Sequence, residues 1–126
     1  MIRLSLPWPP SVNRIWRSIR KGPMAGRVLL AADGREYRKA VRALALFELG
    51  RETQIESRLA MTIHLTPPDR RRRDIDNSAK AVLDALMHAG VYRDDSQIDD
   101  LHLIRGPVKQ NDGGVVVEIT ELPEAA

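Results

Sequence analysis

The sequence predicts a single α/β (α+β) domain in which a mixed β-sheet carries two main helices. Three observations predict it. Ile2, Leu4 and Leu6, and later Leu59, Met61, Ile63 and Leu65, recur at every second position, the period of a half-buried strand. Two stretches, after Asp33 and after Asp76, carry apolar residues at helical spacing, and each ends in a glycine, Gly50 and Gly90. These pieces interleave along the chain instead of segregating, and 126 residues suffice for one core with little room for a second.

In chain order, Ile2 to Leu6 is a first strand, stopped by Pro7. Pro7-Trp8-Pro9-Pro10 follows as a rigid extended segment, with Trp8 expected to pack on the surface of the core. From Asn13 to Arg27 the chain sets Arg14, Trp16, Arg17, Arg20, Lys21 and Arg27 among Gly22, Pro23 and Gly26. That composition reads as a mobile basic loop suited to phosphate contacts, and equally as a loop that only solubilises. Val28 to Leu30 is a short strand. Asp33 with Glu36 three residues on resembles a capping box, opening a helix that runs to Gly50. Its apolar face is Tyr37, Val41, Leu44 and Phe47; Arg35, Arg38, Lys39 and Arg42 make a cationic side that is either solvated or laid along a nucleic-acid backbone.

Ser57 to Leu65 reads as a central strand, closed by Pro67-Pro68. The second helix spans roughly Asn77 to Ala89, with Ala79, Val82, Leu83 and Leu86 on its buried face. A turn carrying Asp94-Asp95 leads to a strand from Ile98 to Arg105. Asn111-Asp112-Gly113-Gly114 is then expected as a hairpin turn into a last strand, Val115 to Ile119, before a frayed tail from Leu122 to Ala126.

Composition excludes several functions. With no cysteine there are no disulfides, thiolate zinc sites or cysteine nucleophiles. No Gly-x-x-x-x-Gly-Lys or Gly-x-Gly-x-x-Gly pattern supports a nucleotide cofactor. No stretch reaches the ~18 apolar residues of a membrane span, and Arg3, Trp8 and the prolines break any signal-peptide core, so a soluble intracellular protein with no membrane partner is expected. His64, His88 and His102 lack ligand spacing and read as structural or exposed. The net charge of +3 hides an asymmetry: residues 1–42 hold ten lysines and arginines against two acids, residues 43–126 ten against fifteen. A basic front half points to a polyanionic partner, and acids retained behind it to metal-dependent chemistry.

The chemistry concentrates in Asp69-Arg70-Arg71-Arg72-Arg73-Asp74-Ile75-Asp76-Asn77-Ser78-Ala79-Lys80. Arg70, Arg71, Arg72 and Arg73 attract anions, whereas Asp74 and Asp76 repel them unless a cation lies between. In extended backbone, residues i and i+2 share a face, so these two carboxylates can converge. Mg2+ takes one or two carboxylates together with waters and phosphate oxygens. The other reading makes the arginines a solvated loop and Asp76 an N-cap. Lys80, four residues past Asp76, is its neighbour on a helix surface, as an ordinary ion pair or as part of a site.

Three segments together resemble the RusA family of Holliday junction resolvases, small endodeoxyribonucleases of bacteria and their prophages. They are Leu6-Pro7-Trp8-Pro9-Pro10-Ser11-Val12-Asn13-Arg14, Arg73-Asp74-Ile75-Asp76-Asn77-Ser78-Ala79-Lys80 and Asp94-Asp95-Ser96-Gln97-Ile98. The resemblance runs from about Leu4 to Ile119. It implies Mg2+-dependent cutting of four-way DNA junctions by paired symmetric nicks, a homodimer, and a cytoplasmic, nucleoid-associated setting in a bacterium or prophage. By position it implies essential carboxylates at Asp74, Asp76 and Asp95 and an essential lysine at Lys80, with Asp100 a further acid; Asp99 matches nothing. DNA contacts are expected from Arg14, Arg17, Arg20, Lys21, Arg27 and Arg70 to Arg73. The interface is expected on the Ile98 to Arg105 strand or the helix after Asp33. Two other functions compete: a different metal-dependent nuclease, for instance an RNase, and a non-catalytic nucleic-acid-binding module.

Overall fold

The computed structural model describes residues 1–11, 16–18, 20–50 and 54–123, apart from the side chains of residues 16, 17 and 29. The strands are β1 (Ile2–Pro7), β2 (Trp16–Ser18), β3 (Val28–Leu30), β4 (Leu59–Thr66), β5 (Ile98–Arg105) and β6 (Gly114–Glu121). Helix α1 (Ala32–Leu49) precedes β4, and α2 (Ile75–His88) lies between β4 and β5. The main sheet has the order β1-β6-β4-β5; only β4 and β5 are parallel. The mixed α+β architecture with two helices is thus the one the sequence predicts.

β4 is central, as its alternation requires. Leu59, Met61, Ile63 and Leu65 are buried on the helix-covered face and Ala60, Thr62, His64 and Thr66 half-exposed on the other. β6 and β1 add Val115, Val117, Ile119, Leu4 and Leu6 to the same core. α2 buries Ala79, Val82, Ala85 and Leu86 against it, and Leu83 packs at the margin. α2 ends in a Schellman motif: Gly90, at φ 78°, donates to the Met87 carbonyl at 3.0 Å and Val91 to Leu86 at 3.2 Å. Because β4 and β5 are parallel, α2 must return the chain to the same end of the sheet. This places the loop after β4 and the start of α2 at the C-terminal end of the two parallel strands.

Four expectations need correction. The Asn111–Gly114 segment is not a hairpin turn, because β5 and β6 are not neighbours; β6 inserts between β1 and β4. The charges explain it: β5 carries Asp99, Asp100, His102 and Arg105 and belongs on an edge, whereas β6 has Val115, Val116, Val117 and Ile119 to bury. Gly113 is required where the β5–β6 loop passes the prolines after β4, since a Cβ there would meet Pro68 at 2.7 Å. Asp33 does not cap α1; Ala31 occupies the N-cap without a side-chain bond, and Asp33 sits in the first turn. Phe47 is 82% exposed. Ten residues beyond Tyr37, it falls about 80° round the helix on the side away from Val41 and Ala45. The basic segment is not wholly a loop, because β2 pairs with β3 in a two-stranded sheet. Leu122 is fixed by a 2.8 Å bond to the Arg58 carbonyl; residues 124–126 of the expected frayed tail lie outside the described residues.

Candidate active site

After Pro67-Pro68 the chain runs irregularly from Asp69 to Arg73. Asp69 organises this loop. Its Oδ1 accepts the Arg71 N–H at 2.9 Å and the Arg73 guanidinium at 2.8 Å, and these contacts, Arg73 first, hold its carboxyl below the usual carboxylate range. The Arg73 guanidinium also lies 5.4 Å from the centre of the Trp8 ring, within cation–π range. Arg105, at the end of β5, donates to the Arg73 carbonyl at 2.7 Å. The four arginines therefore divide: Arg73 is half-buried and committed to the loop, whereas Arg70, Arg71 and Arg72 are exposed. Trp8 packs against the core margin as expected.

Asp74 stands at the N-cap of α2 with extended backbone, but its side chain makes no capping bond. α2 starts two residues earlier than the sequence indicated, so Asp76 lies inside its first turn and is not a cap. Nor do the two acids share a strand face, and the extended-backbone argument for their convergence does not hold. Both carboxylates are exposed; Asp76 Oδ1 accepts only the adjacent Asn77 N–H, at 3.0 Å, and neither acid has an ion pair among the described residues. The positive end of the helix dipole stabilises such charges. Lys80 is exposed on the Asp76 stripe and, among the described residues, makes no ion pair, so the ordinary surface pair with Asp76 is not observed. The next residue on that stripe, Asp84, is committed to Arg38 of α1, at 2.9 and 3.0 Å.

Asp95 opens a 3-10 turn, Asp95–Gln97, whose geometry explains the Asp94-Asp95-Ser96-Gln97 sequence. The Asp94 side chain accepts the Ser96 N–H at 3.0 Å, and buried Gln97 returns Oε1 to the Asp94 N–H at 2.8 Å. The Gln97 amide also donates to the Ile55 and Ser57 carbonyls, both at 2.9 Å, pinning the turn to the segment before β4. Asp94 is thus a cap. Asp99, for which the sequence offered no role, is gripped by Arg58 through bonds of 3.0 Å to both carboxylate oxygens. Asp100 pairs with His102 at 2.9 Å.

Tyr92 is a candidate site residue that the sequence reading missed. It is fully buried, and its hydroxyl lies 2.8 Å from Asp95 Oδ1 and 2.7 Å from the Leu83 carbonyl of α2. Burial first, then the Asp95 carboxylate, pushes the phenol up, so it remains a proton donor. Nothing local marks it in the sequence; the signal available was the Asp94-x-x-Gln97 capping box that follows. Leu83 lies seven residues from Asp76, about two helical turns. Among the described residues no three Asp, Glu or His side chains gather closely enough to hold a metal ion, so Asp74, Asp76 and Asp95 do not form a closed cage.

An open groove of about 440 Å³ runs past Asp74, walled by Pro10, Ser11, Arg72, Asn77 and Ser78. Two of the three sequence segments singled out above thus meet at one surface. The family described as endodeoxyribonuclease RusA matches residues 7–120. The chain belongs to the RusA family. The crossover junction endodeoxyribonuclease RusA of Enterobacteria phage HK97 is 42% identical over 117 residues, covering 93% of this chain and 92% of the relative. The enzymes of that name from Escherichia coli strain K12 and Enterobacteria phage 82 are each 38% identical over 122 residues, covering 94% and 93%.

Of the other basic residues singled out on this RusA chain, Arg20, Lys21 and Arg27 are exposed between β2 and β3. Arg14 and the Arg17 side chain lie outside the described residues. No helix among the described residues is long and apolar enough to cross a membrane. Because Tyr92 ties Asp95 to α2, Tyr92→Phe should leave the ring packed and cost about 1 kcal/mol of stability. DNA cleavage should nevertheless fall by up to about 100-fold as Asp95 loses its position. A melting curve beside single-turnover cleavage separates the two effects.

Proposed function

We propose that this RusA-family endodeoxyribonuclease is an Mg2+-dependent homodimer that resolves four-way DNA junctions, each protomer nicking one of two symmetry-related strands. The observation that carries the reading is the pair of exposed, uncommitted carboxylates, Asp74 and Asp76, at the start of α2 beside three exposed arginines. Family membership supports a divalent metal in general. The donor set fits Mg2+ in particular, which needs only one or two carboxylates and takes its remaining oxygens from water and phosphate. Asp74 and Asp76 would hold it, with Asp95 completing the acidic surface further along α2 without joining a closed cage; the ion would supply Lewis acidity at the phosphoryl group.

The chain's own residues do the rest. Arg70, Arg71 and Arg72 bind backbone phosphates and set the strand along the groove. Lys80, one turn past Asp76, balances the charge that grows on the phosphoryl oxygens in the transition state. Tyr92 holds Asp95 in place, and Arg73 holds the arginine loop by its bonds to Asp69. The phage and enterobacterial sources of the relatives support a cytoplasmic, nucleoid-associated setting.

A four-way junction presents two equivalent phosphates across a two-fold axis, and one domain with one set of acids addresses only one of them. A C2 dimer matches that symmetry. Exposed apolar side chains on β5, Leu101 and Ile104, and on α1, Leu46 and Phe47, support these elements as sources of the interface. A dimer pairing one wild-type with one Asp76→Asn protomer should nick one strand and leave its partner intact. Paired resolution by a species that sediments as a monomer would contradict the dimer.

A further inference from the structure

Next to the Asp74 groove, and sharing Arg73 and Ser78 with it, lies a second and more enclosed cavity of about 200 Å³. Its walls are apolar: Trp8, Leu65, Pro67, Ile75 and Val108. Its rim is basic, with Arg70, Arg71 and Arg105 beside Arg73. Backbone phosphate binding requires the rim and gives no reason for the walls. Whole small-molecule sites occupy about 300–1,000 Å³, so this cavity suits a single ring system, and its lining includes an indole with a guanidinium 5.4 Å from the ring centre.

We propose that this cavity receives one nucleobase, unstacked at the crossover of the bound junction, and that it fixes the register of the neighbouring scissile phosphate in the Asp74 groove. The inference rests on the junction-resolving reading and deepens it. Unpaired bases bind by stacking on aromatic and guanidinium planes, with hydrogen bonds to their edges. Arginine has donors only, and four arginines line the cavity against one carboxylate, Asp69, whose Oδ1 already accepts from Arg73 and Arg71. The base is therefore held mainly through an acceptor edge. A branch point is where unstacking costs least, because the bases there have lost a continuous stack. The cavity thus adds to the junction preference that the two-fold arrangement of phosphate contacts already gives.

The test is an abasic walk. Four-way junctions carrying a single abasic site at successive positions around the crossover are bound in EDTA by the full-length protein and by Val108→Trp. Val108 is 40% exposed, so the indole can fill the cavity without disturbing the core; a melting curve checks this. At one position, loss of the base should weaken wild-type binding about tenfold. Val108→Trp should bind intact and abasic junctions alike, with the weakened affinity, and still prefer junction to duplex. As a second readout, 2-aminopurine at that position should change its emission on binding wild-type protein and not on binding Val108→Trp. A flat walk with junction preference retained would overturn the base pocket and leave the proposed function standing. A protein that binds duplex as well as junction would overturn both.

Discussion

Asp76→Asn should yield a folded protein that binds four-way DNA and does not cut it. The substitution removes a carboxylate charge that the proposed site uses at the start of α2, and cleavage should fall by about 10²–10³-fold or more. Folding should barely change. Asp76 is exposed and caps nothing, its one bond being to the adjacent N–H. Stability should therefore stay within about 0.5–1 kcal/mol, the scale of a surface change plus a helix-dipole contribution. Affinity should hold or rise, by up to about fivefold, because a negative charge facing phosphate is gone. Asp74→Asn and Asp95→Asn should behave in the same way. Gel-shift titration in EDTA beside cleavage in Mg2+ separates the two quantities. Parallel loss of binding and cleavage would assign the acids to structure.

Lys80→Met should be nearly as inactive, with cleavage reduced about 10²–10⁴-fold. Methionine matches lysine in length and helix propensity, and an exposed position loses no packing. If Lys80 served only as a surface partner for Asp76, its loss would cost about 0.3–0.5 kcal/mol and leave turnover untouched. No such ion pair forms among the described residues, so turnover in this variant tests the proposed role at the phosphate directly. Cleavage at the wild-type rate would return Lys80 to the surface.

The parts of this molecule legible in the sequence are those decided locally. β4 was readable because Leu59, Met61, Ile63 and Leu65 alternate on a strand covered on one face. α2 was readable because its buried stripe and Gly90 stop are periodic signals. The site's charged residues were legible as a motif, but their geometry was not. Whether Asp76 caps α2, lies on an extended strand or sits inside the first turn depends on where the helix nucleates, and one residue's difference changes the direction of the carboxylate. The hairpin failed for another reason. Asn111-Asp112-Gly113-Gly114 turns the chain, yet the choice between β5 and β4 as the partner of β6 is made by burial across the whole sheet. Tyr92 was invisible because its partners, Leu83 and Asp95, come together only when α2 packs. Phe47 shows that a helical stripe must be tracked at 3.6 residues per turn over its full length.

The most direct measurement is cleavage of an end-labelled mobile four-way junction, with Mg2+ or with EDTA, read at nucleotide resolution beside duplex DNA and RNA of the same sequence. Junction resolution by a two-fold dimer predicts Mg2+-dependent nicks at symmetric positions on two opposing strands, with duplex and RNA left intact. Equal cutting of duplex or RNA, or cutting that persists in EDTA, would contradict it.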